Sequence, residues 1–251
     1  IIASHPVIFD TWSALEKVSD VERYRIVNRA LDVLLPDLAL VNPKNPYRRT
    51  REILDRIAQV KREGKTLEDL QRAADLMEGG LPVAPQNGAK VGTKAQEKDL
   101  LSVRKIREFA EIFQQYQEAL EKTQRYDYED MILYVLRALE EHEWLLQSLQ
   151  ERYQYILVDE FQDTNGAQCH LVELLTTYPT LDHEPNLFVV GDDDQAIYRF
   201  QGANLLNLLQ FRERFPHAPV IVLTTSYRCS QPILDAAGSL IAKNTERLVG
   251  K

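Results

Sequence analysis

Apolar residues recur at helical spacing through the first 150 residues of the chain. Ser19-x-x-Glu22 has the form of a capping box and precedes apolar positions that predict a helix over residues 21–35. The same periodicity predicts helices over 47–63, from Thr66 to 79, around 100–120 and over 128–149. We therefore expect the first part of the chain to be helical.

The pattern changes after Tyr153. Uninterrupted apolar runs at 155–158, 187–190 and 220–223 predict short buried strands, and helix-like stretches lie between them at 167–176 and 203–214. A further helix is predicted over 231–244. Alternation of strand and helix is typical of a parallel sheet. The sequence thus predicts an α/β protein in which a helical part precedes a parallel sheet, with the boundary near residue 150.

The amino-acid composition excludes several classes of protein. With 44% apolar and 27% charged residues among 251, the chain is neither disordered nor collagen-like. It has no apolar stretch near the roughly 20 residues of a membrane span and no signal peptide, so we expect a soluble, cytoplasmic protein that does not contact membranes. Two cysteines, Cys169 and Cys229, have no ligand-spaced partner, so the sequence predicts reduced structural thiols and indicates neither a disulfide framework nor a zinc site.

Charge is distributed unevenly along the chain. The net charge of −8 argues against a protein that coats nucleic acid with its whole surface. Residues 41–107, however, hold fifteen Lys and Arg against nine Asp and Glu. This stretch is either a local track for nucleic acid or a set of solvated helix faces, and charge alone favours the second.

Each predicted strand ends in a polar cluster, and the carboxyl ends of parallel strands meet at one edge of a sheet. The first run ends in Asp159-Glu160. An apolar strand followed by Asp and Glu has the Walker B pattern, in which the Asp holds Mg²⁺ and the Glu orients or deprotonates the attacking water. A buried strand followed by a solvated acidic turn gives the same pattern, and Asp159-Glu160 alone does not separate the two.

The other two clusters carry an amide, aromatic rings and a cation. Gln195 follows the second run and could contact both a phosphate oxygen and water. Tyr198 and Phe200 could stack on the bases of a single strand, although such a pair is more often part of a core. Past the third run, Tyr227 precedes Arg228, whose guanidinium could neutralise a transferring phosphoryl group or form an ordinary surface ion pair.

Taken together and in order, these clusters resemble the UvrD/Rep-like superfamily 1 DNA helicases. The resemblance lies in ILVDEFQDTN (156–165), VVGDDDQAIYRFQGA (189–203) and TTSYRCSQPIL (224–234), with support from YDYEDMI (126–132). It covers residues from about 100 to 251 well and the earlier ones loosely. It implies a RecA-like P-loop NTPase sheet with a helical subdomain.

The resemblance also implies roles in ATP hydrolysis, with ATP and Mg²⁺ as cofactors. Asp159 would hold Mg²⁺, and Glu160 would be the catalytic base. Gln195 would contact the γ-phosphate and couple it to DNA. Tyr227 would lie against the adenine, and Arg228 would reach the γ-phosphate.

For DNA, the resemblance implies single-stranded DNA and single/double-strand junctions as partners. Tyr198, Arg199 and Phe200 would contact the single strand, the two rings by stacking. Gln201 stands where the family usually has Arg, so the contact at that position is not implied.

The Walker A pattern GxxxxGK[ST] is missing from this sequence. Gly64-Lys65-Thr66 resembles its end, but position 59 is Gln and the preceding residues predict a helix, so Gly64 is better explained as a helix C-cap and Thr66 as the next N-cap. Since the chain also begins with Ile1 rather than Met, we interpret it as an internal fragment that lacks the Walker A loop and the second motor domain. Residues 1–150 would be the helical subdomain inserted in the first motor domain, 151–225 the back half of that domain, and 226–251 the start of the second.

The functional prediction is a fragment of an ATP-dependent DNA helicase or translocase of 3′-to-5′ polarity, inactive as an ATPase by itself. The alternative is a non-catalytic DNA-binding or protein-docking module derived from a helicase. The resemblance also implies that the runs at 155–158 and 187–190 pair in parallel, and that 220–223 is left without the neighbour that it has in the family's sheet. Residues 6–9 would then substitute for that neighbour, or the chain would dimerise through its open edges, or the run would be displaced.

Overall fold

The computed structural model describes residues 1–34, 38–80, 94–178, 185–192 and 205–241. The chain divides into two compact units, an N-terminal unit, Ile1–His142, and a C-terminal unit, Glu143–Lys251. None of the helices in these described ranges has the length and apolar content that crossing a membrane requires.

The N-terminal unit is mainly helical. Two short strands pair in parallel within it, with Glu16 opposite Arg125 and Lys17 opposite Tyr126. Short 3₁₀ helices cover Ile2–Ser4 and Pro46–Arg49. In chain order the other elements are α1 (Asp10–Ser13), β1 (Glu16–Lys17), α2 (Asp20–Leu34), α3 (Thr50–Arg62), α4 (Leu67–Gly79), α5 (Lys94–Lys122), β2 (Arg125–Tyr126) and α6 (Asp130–Glu141).

Three predicted helix ends in this unit are confirmed. The Ser19 hydroxyl accepts from the Glu22 amide at 3.3 Å, and the Glu22 carboxylate accepts from the Ser19 amide at 3.2 Å, which makes the capping box at the start of α2. Gly64 has φ 63° at the end of α3, a conformation that glycine adopts without strain. Thr66 forms a capping box with Asp69 at the start of α4. Gly64-Lys65-Thr66 is therefore a helix end followed by a helix start, as predicted.

Helices α2, α3 and α5 enclose the core of the N-terminal unit. Their apolar faces supply side chains that are fully buried, because the apolar positions recur every three or four residues. These fully buried side chains include Val27, Leu31, Ile57, Ile112 and Tyr116.

The C-terminal unit combines helices with a two-stranded parallel sheet. Ile156 lies opposite Leu187 and Val158 opposite Val189, which confirms the predicted parallel pairing of the first two apolar runs. A 3₁₀ helix, Phe161–Asp163, directly follows the first strand after Asp159 and Glu160. The elements are α7 (Glu143–Arg152), β3 (Ile156–Val158), α8 (Gly166–Thr176), β4 (Leu187–Val189), α9 (Leu205–Arg214) and α10 (Gln231–Ile241).

Three predictions of local structure are wrong. The single helix over 128–149 is two helices, because His142 has φ −119° and ψ 84° and so leaves the helical region between α6 and α7. Residues 220–223 form no strand in the described structure, and their side chains are 52–84% exposed. Residues 6–9 form turns rather than a substitute strand. The described structure therefore agrees with displacement of the run at 220–223 and not with a substitute strand from residues 6–9, and dimerisation through the open edges stays a prediction.

Candidate functional site

Strand β3 ends in a sharp turn that presents two exposed carboxylates, those of Asp159 and Glu160. The Glu160 amide donates to Asp159 Oδ1 at 2.9 Å. Glu160 itself has φ 50° and ψ 43°, the left-handed region, which costs a non-glycine residue about 1–2 kcal/mol. Such strained residues persist where neighbouring contacts hold them, and they cluster at active sites and ligand clamps.

The contact that holds this turn comes from Gln162, which is only 1% exposed. Its Nε2 donates to Glu160 Oε2 at 2.6 Å, and its Oε1 accepts from the backbone amide of Asp192 at 3.0 Å. One buried side-chain amide thus connects the Glu160 carboxylate to the residue that follows strand β4. The sequence analysis missed Gln162, because nothing in its spacing distinguishes a buried amide from a solvated one.

The two strand ends lie close together. The Val190 amide donates to Val158 O at 2.8 Å, and the Phe161 amide donates to Val190 O at 2.9 Å, so the hydrogen-bonded ladder continues beyond the strands. At Gly191, an added Cβ would lie 2.9 Å from Gln162 Oε1, closer than real Cβ contacts come. Glycine at this position is what allows the backbone of the second strand end to approach Gln162.

Helix α9 packs against the turn that follows β3. Asn207 Nδ2 donates to Thr164 O at 2.6 Å, and the Thr164 hydroxyl donates to Phe161 O at 2.6 Å. The ring of Phe161 also packs edge-on against Phe211, with 5.6 Å between ring centroids. The signal for Asn207 was present in the sequence, since it is a lone polar residue inside the apolar run LLNLL.

The structure places the other predicted site residues as follows. Tyr227 is 97% exposed, and Arg228 forms no ion pair with any part of the chain that the structure describes. Among the described contacts, no hydrogen bond or ion pair joins either residue to Asp159 or Glu160, and the run that precedes them forms no strand with β3 or β4. The predictions for the remaining residues concern positions outside the described ranges: Gln195, Tyr198, Arg199, Phe200 and Gln201.

Asp159 is the residue here that could contribute to a metal site. One of its oxygens accepts from the Glu160 amide, and its carboxylate is exposed. The described residues contain no group of three or more His, Cys, Asp or Glu that could hold a metal ion. A single carboxylate fits Mg²⁺, which keeps several waters and is bound by one or two carboxylates together with substrate phosphates.

The N-terminal unit contains a second concentration of charge around Lys61, which is fully buried. Its ammonium lies 2.6 Å from Asp127 Oδ2 and 2.9 Å from Asp130 Oδ1. The Tyr116 hydroxyl donates to Asp127 Oδ2 at 3.2 Å and accepts from Arg23 Nε at 3.1 Å. Both aspartates belong to the segment YDYEDMI, so the structure assigns this segment to a buried ion network.

The pKa values of the two aspartates in this network are shifted in opposite directions. Burial by itself would raise the pKa of Asp127, but the charge and hydrogen bond of Lys61 outweigh it and leave that pKa below its usual value. Burial also raises the pKa of Asp130, and the neighbouring Asp127 charge adds to that increase. Because the network is closed to solvent, we interpret it as structural rather than catalytic.

Much of the basic stretch 41–107 is neutralised by ion pairs. Besides Lys61, which is buried with its two aspartates, the paired cations lie on the unit's surface. Arg48, Arg51 and Lys105 form no ion pair within the described residues. The pairs are Arg49 and Arg56 with Glu52, Arg62 with Glu129, Arg72 with Asp69, Arg104 with Glu108, and Arg107 with Asp75 and Glu78.

The sequence is similar to that of known helicases. Residues 13–216 match the UvrD/REP helicase N-terminal domain. The chain is 39% identical over 142 residues to the ATP-dependent DNA helicase PcrA of Leuconostoc citreum, and 40% identical over 138 residues to the PcrA of Bacillus subtilis (strain 168). These alignments cover 57% and 55% of this chain but only 18% of each relative. Since the domain match covers most of the chain, the protein belongs to the UvrD/REP helicase N-terminal domain family.

Proposed function

We propose that this chain is part of an ATP-dependent DNA helicase, a motor that uses ATP hydrolysis to move along single-stranded DNA with 3′-to-5′ polarity. The observation that carries the proposal is the pair of carboxylates in the turn after β3, of which Glu160 is connected by Gln162 to the end of the neighbouring strand. The similarity to PcrA proteins, which are named ATP-dependent DNA helicases, supports it.

In this proposal the two carboxylates have different tasks. Asp159 binds Mg²⁺, the ion that neutralises the charge of the ATP phosphates. Glu160 accepts a proton from the attacking water, for which its exposed carboxylate is accessible. The hydrogen bond from Gln162 fixes the orientation of that carboxylate, and the left-handed backbone of Glu160 sets its direction out of the strand.

The remaining predicted residues complete the proposed site. Gln195 would contact the γ-phosphate, Tyr227 the adenine and Arg228 the γ-phosphate. For Tyr227 and Arg228, the exposed positions in this structure require the segment after residue 220 to move to the strand ends when nucleotide binds. The residues proposed to contact single-stranded DNA are Tyr198, Arg199 and Phe200.

The proposal extends to the architecture and partners. The parallel pair β3–β4 would be part of a RecA-like sheet, residues 1–150 the inserted helical subdomain, 151–225 the back half of the first motor domain, and 226–251 the start of the second. Junctions between single- and double-stranded DNA would be the substrates, and the cytoplasm the location.

A strand-displacement assay tests the proposal. The full-length protein that carries this sequence is incubated with a labelled duplex bearing either a 3′ or a 5′ single-stranded tail. We expect ATP-dependent displacement of the strand only with the 3′ tail, and its loss in Asp159→Asn. Asp163→Asn, which changes an exposed carboxylate in the same turn, should retain displacement and is the control. DNA binding without ATP-dependent displacement would instead support a non-catalytic DNA-binding module.

A further inference from the structure

Gln162 connects the Glu160 carboxylate to the residue that follows strand β4, in addition to the backbone hydrogen bonds between the two strand ends. Its amide is held at both ends, by the Glu160 carboxylate at 2.6 Å and by the Asp192 amide at 3.0 Å. The orientation of this amide follows from chemistry, because a carboxylate can only accept from Nε2 and a backbone amide can only donate to Oε1. Exchanging the two ends would break both hydrogen bonds.

We propose that Gln162 is a positioning residue that fixes the Glu160 carboxylate relative to the end of strand β4. This role rests on the proposed ATP hydrolysis, and it adds a residue that acts through Glu160. A displacement of the Asp192 amide moves Oε1 of Gln162. Because the side-chain amide is rigid, Nε2, which donates to the Glu160 carboxylate, then moves as well. The geometry of the second strand end therefore determines the orientation of the proposed catalytic base.

Three features of the turn require Gln162 in particular. The Gln162 side chain is buried, so its own amide atoms depend on these two protein partners rather than on water. Gly191 leaves just enough room for its oxygen, since a Cβ there would lie 2.9 Å away. Glu160 is exposed and backbone-strained, so without the amide its carboxylate would be free to take other rotamers.

Two substitutions distinguish the hydrogen bond to Glu160 from the hydrogen bond to the Asp192 amide. Gln162→Glu keeps an oxygen that can accept from the Asp192 amide, but it replaces the donor with a carboxylate oxygen that repels Glu160. Gln162→Met keeps the length of the side chain and removes both hydrogen bonds. Thr164→Val is the matched control, because it removes a buried hydrogen bond from the same turn, to Phe161 O, without touching Glu160.

The measurements are steady-state ATP hydrolysis and hydrogen exchange of the Asp192 amide, both in the full-length protein. We expect Gln162→Glu and Gln162→Met to lower kcat at least tenfold while KM for ATP changes less than twofold, since they disturb the base and not the binding of nucleotide. Exchange at Asp192 should be close to the parent value in Gln162→Glu and faster in Gln162→Met. Thr164→Val should lower the melting temperature while keeping kcat within twofold.

The result that would overturn the inference is a kcat in both Gln162 variants no lower than in Thr164→Val. If Gln162→Glu does not fold, Gln162→Met decides the same question. Glu160→Gln in the same assay separates this failure from a failure of the proposed function. Parent turnover that is insensitive to Glu160→Gln overturns ATP hydrolysis at this site and the role of Gln162 with it. Sensitivity to Glu160→Gln with normal Gln162 variants overturns the role of Gln162 alone.

Discussion

Replacing Lys61 with methionine would leave Asp127 and Asp130 buried without the ammonium group that bridges them. Methionine has nearly the length of lysine, so the variant changes charge and hydrogen bonding more than packing. Removing one partner of a buried ion pair costs about 3–5 kcal/mol, because the remaining charge is neither solvated nor compensated. We expect a loss of this size in the free energy of unfolding.

The expected change in melting temperature follows from the size of the N-terminal unit. For a unit of this length each kcal/mol corresponds to about 2–4 °C, so Lys61→Met should lower the melting temperature by about 6–20 °C. Thermal unfolding followed by circular dichroism measures this change. Lys65→Met, at an exposed lysine four residues later, is the control and should change the melting temperature by no more than about 2 °C.

The pH dependence of the Lys61→Met variant gives an independent check. Without Lys61, the two neighbouring carboxylates would have pKa values above the unfolded value of about 3.9, so protonation would stabilise the fold of the variant below that pH. The stabilisation is lost as pH rises, and the deficit relative to the parent should therefore shrink as pH falls from 7 toward about 4. Asp130→Asn in the same background should recover part of the loss at neutral pH. A deficit below about 1 kcal/mol, or one that is constant with pH, would refute the reasoning.

Three other predictions concern the capping box, DNA and the isolated chain. Hydrogen bonds from Ser19 and then Arg125 lower the pKa of Glu22 to about 2, so its stabilising effect is present above the ordinary value of 4.5 and is lost as pH falls toward 2. Ser19→Ala should make the melting temperature depend less on pH between 4.5 and about 2. A melting temperature that falls with pH as steeply as in the parent would contradict this. The isolated chain should bind single-stranded DNA weakly and less tightly at higher salt, because phosphate contacts release counterions; salt-independent binding in a fluorescence anisotropy titration would contradict it. A phosphate-release assay should find negligible ATP hydrolysis by the isolated chain, which has no Walker A pattern, and turnover sensitive to Glu160→Gln would contradict that.

Features set by local sequence could be predicted before the structure was known. The capping box at Ser19, the left-handed turn at Gly64 and the start of α4 at Thr66 depend on residues within four positions of each other. In these three cases the sequence signal and the interaction that makes the structure lie in the same few residues. The parallel pairing of β3 with β4 joins residues about thirty positions apart, and it was expected from the resemblance to the UvrD/Rep-like helicases.

Features set by distant contacts could not be predicted. The role of Gln162 depends on Asp192, thirty residues away, and the burial of Lys61 depends on aspartates more than sixty residues away. The break at His142 has no glycine or proline to mark it. The run at 220–223 has the composition of a strand, but a strand also needs a partner for its backbone groups, and composition does not reveal whether one is present.

The most direct test of the proposed function is DNA-stimulated ATP hydrolysis by the full-length protein with and without Glu160→Gln, with nucleotide affinity measured in parallel. Removing a general base removes its contribution to the chemical step and leaves the phosphate contacts intact. We expect turnover to fall at least about a hundredfold while the Kd for ATP changes less than about threefold. Glu151→Gln, an exposed glutamate outside the turn in the same unit, should behave as the parent. Turnover in Glu160→Gln equal to that of the parent would contradict the assignment of this strand end as the site of ATP hydrolysis.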